Sequence, residues 1–490
     1  MKGIMIQGTS SDSGKSFIAT AFCRLFSDMG FKVCPFKSQN MSNNSYVTAD
    51  GLEMGRAQCV QAEAARLEPR VFMNPILLKP RKDTSSEIVL MGRVHNAPCD
   101  KFYYRDFTMT KGIETIRAAL GYIGENFDMI VCEGAGSPAE INLNDGEIVN
   151  MRVAREADIP VLLVTDVDRG GSLASVVGTL ELLGSDRERV KGIIFNKFRG
   201  DISLFEDAVR WTEEYTGVKV LGVMPMLDVS IESEDSLSLN WSGGGRDITI
   251  GAVKFSRVSN NTDLEAFRAE PDTEVVIVGE HTDFSRLDAV ILPGTKSTVL
   301  DMKYLRDSGL ADRICDFAKR GGTVFGLCGG YQMMGGAIFD HGFKDNDKLP
   351  EIDGLGLLPV STAFTDDKVT QRRAGHVLHP ALSGMEVSGY EIHFGETIFT
   401  RTPGFHPLFE LDGREDGAAN DDMSAAGTYL HNAFHNDAFR AAWLNGIRRR
   451  KGLPERGPAD TTKLKEEAYD KLAAQLRMHI DVKYILDNIL

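Results

Sequence analysis

Two short stretches hold residues whose types and spacing could do chemistry. Gly8-Thr-Ser-Ser-Asp-Ser-Gly-Lys-Ser16 is bounded by glycines and ends in Lys-Ser, and Gly326-Leu-Cys-Gly-Gly-Tyr-Gln332 sets a cysteine between glycines. The first suits ATP phosphates: glycines let backbone N–H groups approach, a lysine neutralises the β/γ-phosphates, and a hydroxyl ligates Mg²⁺. The second suits covalent attack on a carbonyl or amide carbon, because glycines permit the sharp turn that exposes a nucleophile. An enzyme needs both if it strips ammonia from glutamine and uses ATP to drive that ammonia onto a carboxylate. The pair therefore implies a glutamine-dependent amide ligase.

The phosphate loop departs from the literal Walker A pattern, which places four residues between its glycines. Here Gly8 and Gly14 are separated by five, and Thr9 follows the first glycine. The physical requirements still hold, since an apolar run precedes the loop and a helical pattern follows it. Gly8, Thr9, Ser13, Gly14, Lys15 and Ser16 are the candidate phosphate and metal contacts. Glu133, in Cys132-Glu-Gly-Ala-Gly136, ends another apolar run, at the sheet edge where ligands bind, and is a metal-ligand candidate alongside Ser16. Asp50, in Ala-Asp-Gly-Leu-Glu, is a weaker one, competing with an ordinary turn aspartate. Lys37 lies just past the second predicted strand, within reach of a reacting carboxylate. Asp166 and Asp168 line the same expected crevice without an assignable role.

The thiol site needs a base. A strand running into glycine-flanked Cys328 and then a helix favours a thiolate. His431, in Gly427-Thr-Tyr-Leu-His-Asn-Ala-Phe434, ends an apolar stretch and is the candidate base. Gly294, in Leu292-Pro-Gly-Thr-Lys-Ser-Thr298, and Gly329 are candidate oxyanion donors through their backbone N–H groups. His376, His379 and His435 read as surface or packing residues.

These residues need elements to position them. At 490 residues the chain exceeds one ordinary core. An apolar content of 42% with 26% charged residues is that of a globular protein. The net charge of −15 argues against broad nucleic-acid binding, and no apolar run reaches membrane-spanning length. The N-terminus reads as a first strand instead of a signal peptide. Seven scattered cysteines without a Cys-x-x-Cys pair fit reduced thiols and a cytoplasmic location. Short Val/Ile-rich runs at 3–7, 32–36, 129–132, 161–164, 192–195 and 220–223 alternate with amphipathic stretches, predicting an α/β domain with a parallel sheet. A polar, Gly-rich stretch ending at 241–246 predicts a linker. A second α/β pattern follows, with strands at 248–253, 274–278, 289–292 and 323–326. The expected division is a synthetase domain at 1–240, a glutaminase domain at 247–440 and a helical extension at 441–490.

Beyond these readings the chain resembles known families. The long phosphate loop is similar to the dethiobiotin-synthetase branch of P-loop proteins, where it serves carboxylate activation. Asn196-Lys-Phe-Arg-Gly200 is similar to the Asn-Lys element that reads a purine base in related P-loop proteins, without the usual Asp two residues after the lysine. The thiol elbow resembles class I glutamine amidotransferases. Most of that class continue His-Pro-Glu, whereas here Asn432 and Ala433 follow His431. A Cys–His pair lacking that glutamate, behind a dethiobiotin-synthetase-like domain, resembles the cobyric acid synthase family. Four further segments match it: Lys37-Ser-Gln-Asn-Met-Ser-Asn-Asn-Ser-Tyr-Val-Thr48, Glu53-Met-Gly-Arg-Ala-Gln58, Met73-Asn-Pro-Ile-Leu-Leu-Lys-Pro80 and Gly389-Tyr-Glu-Ile-His-Phe-Gly395. The 37–58 block separates it from the sister cobyrinate a,c-diamide synthases, and Arg257-Val-Ser-Asn-Asn-Thr-Asp263 departs from the pattern, which has an aromatic near Asn261.

The resemblance implies ATP, Mg²⁺ and glutamine as reactants or cofactors and a corrinoid substrate, adenosylcobyrinic acid a,c-diamide, amidated at its b, d, e and g carboxylates. Gln39, Asn40, Ser42, Asn43, Asn44 and Tyr46, with Lys37, are the candidate substrate contacts. The sequence leaves a homo-oligomer open. A cobyrinate a,c-diamide synthase, a related carboxylate amidase and a regulatory P-loop ATPase with an inactive second domain are the competing readings. Glutamine-dependent ATP hydrolysis separates the last from the others.

Overall fold

The computed structural model describes residues 1–82, 85–95, 106–229, 231, 245–345 and 349–490. The chain forms two compact units: Met1–Ser42, Glu53–Glu232 and Lys465–Leu490 make the first, and Asn43–Leu52 with Ser233–Leu464 make the second. Neither unit is one continuous stretch, which differs from the division expected from sequence. Residues 441–490 do not form a separate extension but are shared between the units. The expected Gly-rich linker falls largely at 232–244, outside the described residues.

In the first unit, strands β1 (Gly3–Gly8), β2 (Val33–Phe36), β3 (Met129–Glu133), β4 (Val161–Asp166), β5 (Val190–Phe198) and β6 (Val220–Pro225) form one sheet. Their order is β6-β5-β4-β1-β3-β2, all neighbours parallel. Every residue of β1 to β4 is buried, as expected for strands covered on both faces. The register sets Gly8 beside Val164, Ile6 beside Glu133 and Asp166 beside Asn196, so the loops that follow gather at one edge. Helix α1 (Lys15–Asp28) packs Ile18, Phe22 and Leu25 onto this sheet, and Tyr469, Leu472 and Leu476 from the far end of the chain complete the same core. Arg24 holds that late segment through Glu466 (2.7 Å) and Asp470 (2.6 Å). Gln39–Met41 pairs with Ile76–Lys82 in a smaller sheet that Ser85–Leu90 and Arg93–His95 extend.

In the second unit, β7 (Ile248–Val253), β8 (Thr273–Val278), β9 (Ala289–Leu292), β10 (Thr323–Leu327), β11 (Phe405–His406), β12 (Ala418–Asn420) and β13 (Ala425–Thr428) lie in the order β8-β7-β9-β10-β13-β12-β11. The five from β8 to β13 are parallel, and β12 and β11 are antiparallel additions. A long hairpin, Val360–Val377 with Glu386–Phe399, belongs to a second sheet that sequence reading leaves unassigned. Its first strand contains Thr-Asp-Asp-Lys-Val-Thr-Gln-Arg-Arg, which lacks the apolar alternation of a half-buried strand. Helix α2 (Asp437–Arg450) buries Phe439, Trp443, Leu444 and Ile447 against Phe267, Phe325 and Phe434. Two of its four arginines are fully buried and paired, Arg440 with Glu270 (2.9 Å) and Arg448 with Asp272 (2.8 Å). Among the described residues no helix is long and apolar enough to cross a membrane.

Candidate functional site

The first unit builds its site at the carboxyl edge of its sheet. Gly14 adopts a left-handed conformation (φ 95°) at the start of α1, and a Cβ there would lie 2.1 Å from Asn196 Nδ2. The close approach is used: Asn196 Nδ2 donates to Ser13 O at 2.9 Å, fastening the loop to β5. Thr9 N–H donates to Val164 O, and its hydroxyl meets that of Thr165 at 3.1 Å. Lys15 arches over the loop and donates to Ser10 O (2.9 Å) and Gly136 O (3.0 Å).

Glu133 is the hub of this edge, almost fully buried at the end of β3. The Ser16 hydroxyl donates to its Oε1 at 2.6 Å, and Lys37 Nζ lies 3.1 Å from the same oxygen. Gln61 Nε2 donates to Oε2. Ser16, Lys37 and Glu133, three residues proposed from sequence, thus meet, and Gln61 joins them. A hydroxyl and one buried carboxylate are the donors a magnesium bound chiefly by phosphate and water requires. Ser13 Oγ is buried without a hydrogen-bond partner among the described residues, which leaves the loop one unused polar atom. Asp166 pairs with Lys197 (2.9 Å) and Asp168 with Arg199 (2.7 Å), so each has a cationic neighbour from the end of β5.

Gln39 and Asn40 are buried in the smaller sheet, where they pair in register with Ile76 and Leu77, and Ser42 N–H donates to Leu78 O. Asn43, Tyr46 and Asp50 belong instead to the second unit. There Tyr46 packs edge-on to Tyr390 with Arg372 over its ring, and Asp50 accepts the Thr48 hydroxyl at 2.6 Å, the bonding of a turn aspartate. The seven substrate candidates are therefore divided, Lys37, Gln39, Asn40 and Ser42 in the first unit and Asn43, Asn44 and Tyr46 in the second, and Asp50 is not part of the Glu133 cluster.

In the second unit, β10 and β13 are neighbours, with Leu327 beside Thr428, so the residues after each strand leave side by side. Cys328 follows β10 with φ 51° and ψ −108°, a strained backbone for a side-chain-bearing residue and that of a nucleophile elbow. The turn is tight enough that a Cβ on Gly330 would lie 1.9 Å from Leu292 O. Cys328 Sγ donates to Ile392 O at 3.7 Å, and His431 is its side-chain partner. His431 Nδ1 lies 2.7 Å from Asp263 Oδ2, while Asp263 Oδ1 accepts Asn432 N–H at 2.7 Å. Burial works to lower the imidazole pKa, but the Asp263 carboxylate and then Cys328 outweigh it and hold the ring up at about 10. The ring also stacks on Tyr390, with centroids 5.3 Å apart.

The two oxyanion candidates border this pair. A Cβ on Gly294 would lie 3.2 Å from His431 Cε1, and one on Gly329 would lie 2.9 Å from Thr295 Cγ2. Both positions must stay small for the turns to meet. His393, in the 389–395 segment, does not offer a second base. Its burial pushes the ring down to about 3, and it stacks on Tyr429.

Residues 4–238 match the CobQ/CobB/MinD/ParA nucleotide binding domain, and residues 249–439 match the CobB/CobQ-like glutamine amidotransferase domain. The cobyric acid synthase of Geobacillus kaustophilus is 48% identical, over 98% of this chain and 96% of that one. That of Geobacillus thermodenitrificans is 49% identical, over 98% and 97%. That of Salmonella choleraesuis is 45% identical, over 99% and 97%. This chain belongs to the cobyric acid synthase family. As a member it is a glutamine-hydrolysing ligase of cobalamin biosynthesis with an ATP-binding domain.

For a cobyric acid synthase family member without the His-Pro-Glu continuation, the carboxylate beside the histidine comes from elsewhere. Asp263 lies 168 residues before His431. No spacing in the sequence could connect the two, although Asp263 closes the 257–263 block that departs from the family pattern. Gln61 is equally hidden, in the second turn of a helix, Arg56–Ala64, whose first residues close the 53–58 family segment.

Asp263 gives a direct expectation. Both carboxylate oxygens accept, one from the imidazole and one from Asn432 N–H, and an amide can supply only one acceptor. Asp263→Asn should lower glutamine hydrolysis by up to about 10⁴-fold, the loss that the same carboxylate-to-amide change causes in a Ser-His-Asp triad. Ammonia-driven amidation should be unchanged. A wild-type hydrolysis rate at saturating glutamine would remove Asp263 from the relay.

Proposed function

We propose that this chain converts adenosylcobyrinic acid a,c-diamide to adenosylcobyric acid by four amidations, at the b, d, e and g carboxylates. The observation that carries the reading is identity of nearly half the residues to cobyric acid synthases along almost the whole chain, with a phosphate loop and a thiol elbow both built. Cys328 attacks the glutamine amide, His431 takes the thiol proton and returns it to the leaving ammonia, and Gly294 and Gly329 supply backbone N–H groups to the oxyanion. In the first unit, Lys15 and the loop around Gly8, Thr9, Ser13 and Gly14 hold the ATP phosphates, and Asn196 secures that loop.

Ser16 and Glu133 are the residues that would hold Mg²⁺, which supplies charge neutralisation at the transferring phosphate. Lys37 meets the substrate carboxylate in this reading, which its position against Glu133 supports, with Gln39, Asn40 and Ser42 beside it in sequence. Each carboxylate becomes an acyl phosphate before ammonia attacks, because a free carboxylate is too poor an electrophile at neutral pH. The reaction belongs in the cytoplasm, where ATP and glutamine are available.

One active site serving four carboxylates must receive a flat macrocycle in several orientations, and release and rebinding is the simplest way to turn it. Incubation with glutamine, Mg²⁺-ATP and the a,c-diamide should yield four successive mass changes of one amidation each, with partly amidated species free in solution. A pulse of isotopically labelled a,c-diamide followed by an unlabelled chase checks the order of release. Labelled substrate reaching the fully amidated product with no free intermediates would refute rebinding, and no amidation at all would refute the assignment.

A further inference from the structure

His431 has a second hydrogen-bond partner whose polarity matters. Asp263 can only accept, so Nδ1 carries a proton. At the other ring nitrogen, Asn260 Nδ2 lies 3.0 Å from Nε2. Which way the Asn260 amide faces is settled by its other contact: Oδ1 accepts the Ser45 backbone N–H at 2.9 Å. A backbone N–H only donates, so the amide oxygen faces Ser45 and the NH₂ group faces the imidazole. That NH₂ group also only donates, so the contact belongs to the neutral ring: it occupies the Nε2 lone pair and opposes the protonation that Asp263 favours. This is the lone pair a general base uses to accept the Cys328 proton.

Ser45 belongs to a ten-residue strap, Asn43–Leu52, which packs in the second unit although both of its ends continue into the first. Its other contacts lead to the same pair. Tyr390, which stacks on His431, donates its hydroxyl to Ser45 O at 3.0 Å. Val47 is buried with Tyr390 and Ile392, and Ile392 O accepts the Cys328 thiol. Arg372 Nε donates to Val47 O at 2.9 Å, and Asn44 Oδ1 accepts Asn261 N–H at 3.2 Å. Asn260 itself is held in a left-handed turn (φ 53°) that asparagine and aspartate tolerate better than most residues.

We propose that Asn260, aimed by the Ser45 N–H of the strap, is a positioning residue that restrains His431 as a base, and that displacement of the strap releases it. The proposal rests on the reading of Cys328 and His431 as the glutaminase pair. When Asn260 turns away, the thiol proton passes from Cys328 Sγ to His431 Nε2, and the Nδ1 proton stays against Asp263. No other group changes charge. Because residues 42 and 53 at the strap ends belong to the ATP-binding unit, glutamine hydrolysis becomes answerable to events there through one hydrogen-bonded chain.

The test uses the full chain. Asn260→Asp keeps the left-handed turn and the acceptor for Ser45 N–H but presents an oxygen to Nε2, favouring the protonated ring. Asn260→Gly keeps the turn and removes the donor altogether. One readout is the iodoacetamide alkylation rate of Cys328, followed by peptide mass spectrometry between pH 6 and 9. The other is glutamine hydrolysis with and without Mg²⁺-ATP and the corrinoid. Loss of one restraining hydrogen bond should speed alkylation at pH 7 and unstimulated hydrolysis about fivefold. The stimulation by ATP and corrinoid should shrink toward none.

Unchanged rates and unchanged stimulation in both variants would overturn the proposal. So would slower alkylation with a lowered melting temperature, which marks a merely structural residue. Failure of the underlying pair reads differently: Cys328→Ala would still hydrolyse glutamine, and wild-type Cys328 would react no faster than the half-buried Cys315.

Discussion

Cys328→Ala should abolish glutamine-driven amidation and leave ammonia-driven amidation at its wild-type rate. In the proposed reaction the thiol forms the glutamyl thioester, and neither of the rings near it can take its place: His393 is neutral and stacked, and Tyr390 donates its hydroxyl to Ser45 O. Removing a covalent nucleophile costs far more than removing a hydrogen bond, on the order of 10⁶-fold in a serine hydrolase where this has been resolved. Hydrolysis should therefore fall below detection. Ammonium salt bypasses the thioester, so amide product should still form when it replaces glutamine. Normal glutamine use by the variant would show that the elbow is not the nucleophile.

Lys15→Ala should fail with either nitrogen source. Its Nζ is held over the loop by Ser10 O and Gly136 O, in place to meet the β/γ-phosphates. Losing one preorganised charge costs about 3 kcal/mol, roughly a hundredfold in rate. Glu133→Gln should have a comparable effect for a different reason. It removes the charge that Ser16, Lys37 and Gln61 share. Amide formation from ammonia, measured by product mass, checks both variants. Wild-type rates for the Lys15 variant would sink the phosphate-loop assignment.

These expectations draw unequally on what the sequence displays. All ten predicted strands are present to within a few residues, because a doubly covered parallel strand is a short Val/Ile-rich run bounded by turn residues. The loop around Lys15 and the elbow at Cys328 were legible for the same reason: each is a local backbone geometry that demands glycine at fixed offsets. Asp263, Asn260 and Gln61 were not. Each acts across a gap of 72 to 171 residues, and nothing local distinguishes a relay carboxylate from a solvated one. The Val360–Val377 and Glu386–Phe399 hairpin escaped because its half-exposed strands are rich in charge. Tyr46 shows another limit. Its polar, amide-rich surroundings read as a substrate loop, and nothing in them signals the packing of the strap on Tyr390 and Arg372.

The shared ownership of the chain also bears on how it is made. Leu472 and Leu476 are fully buried in the core of the first unit, and each such leucine contributes on the order of 2 kcal/mol. During translation the ribosome must therefore deliver the whole stretch from Ser233 to Leu464 before that core can close. At about 5–20 residues per second this is a wait of roughly 10–50 s. For that time β1 to β6 and α1 stand with an apolar face uncovered, the period in which a chaperone has most to do. The glutaminase unit is then the first to finish on the ribosome, although its sequence comes second.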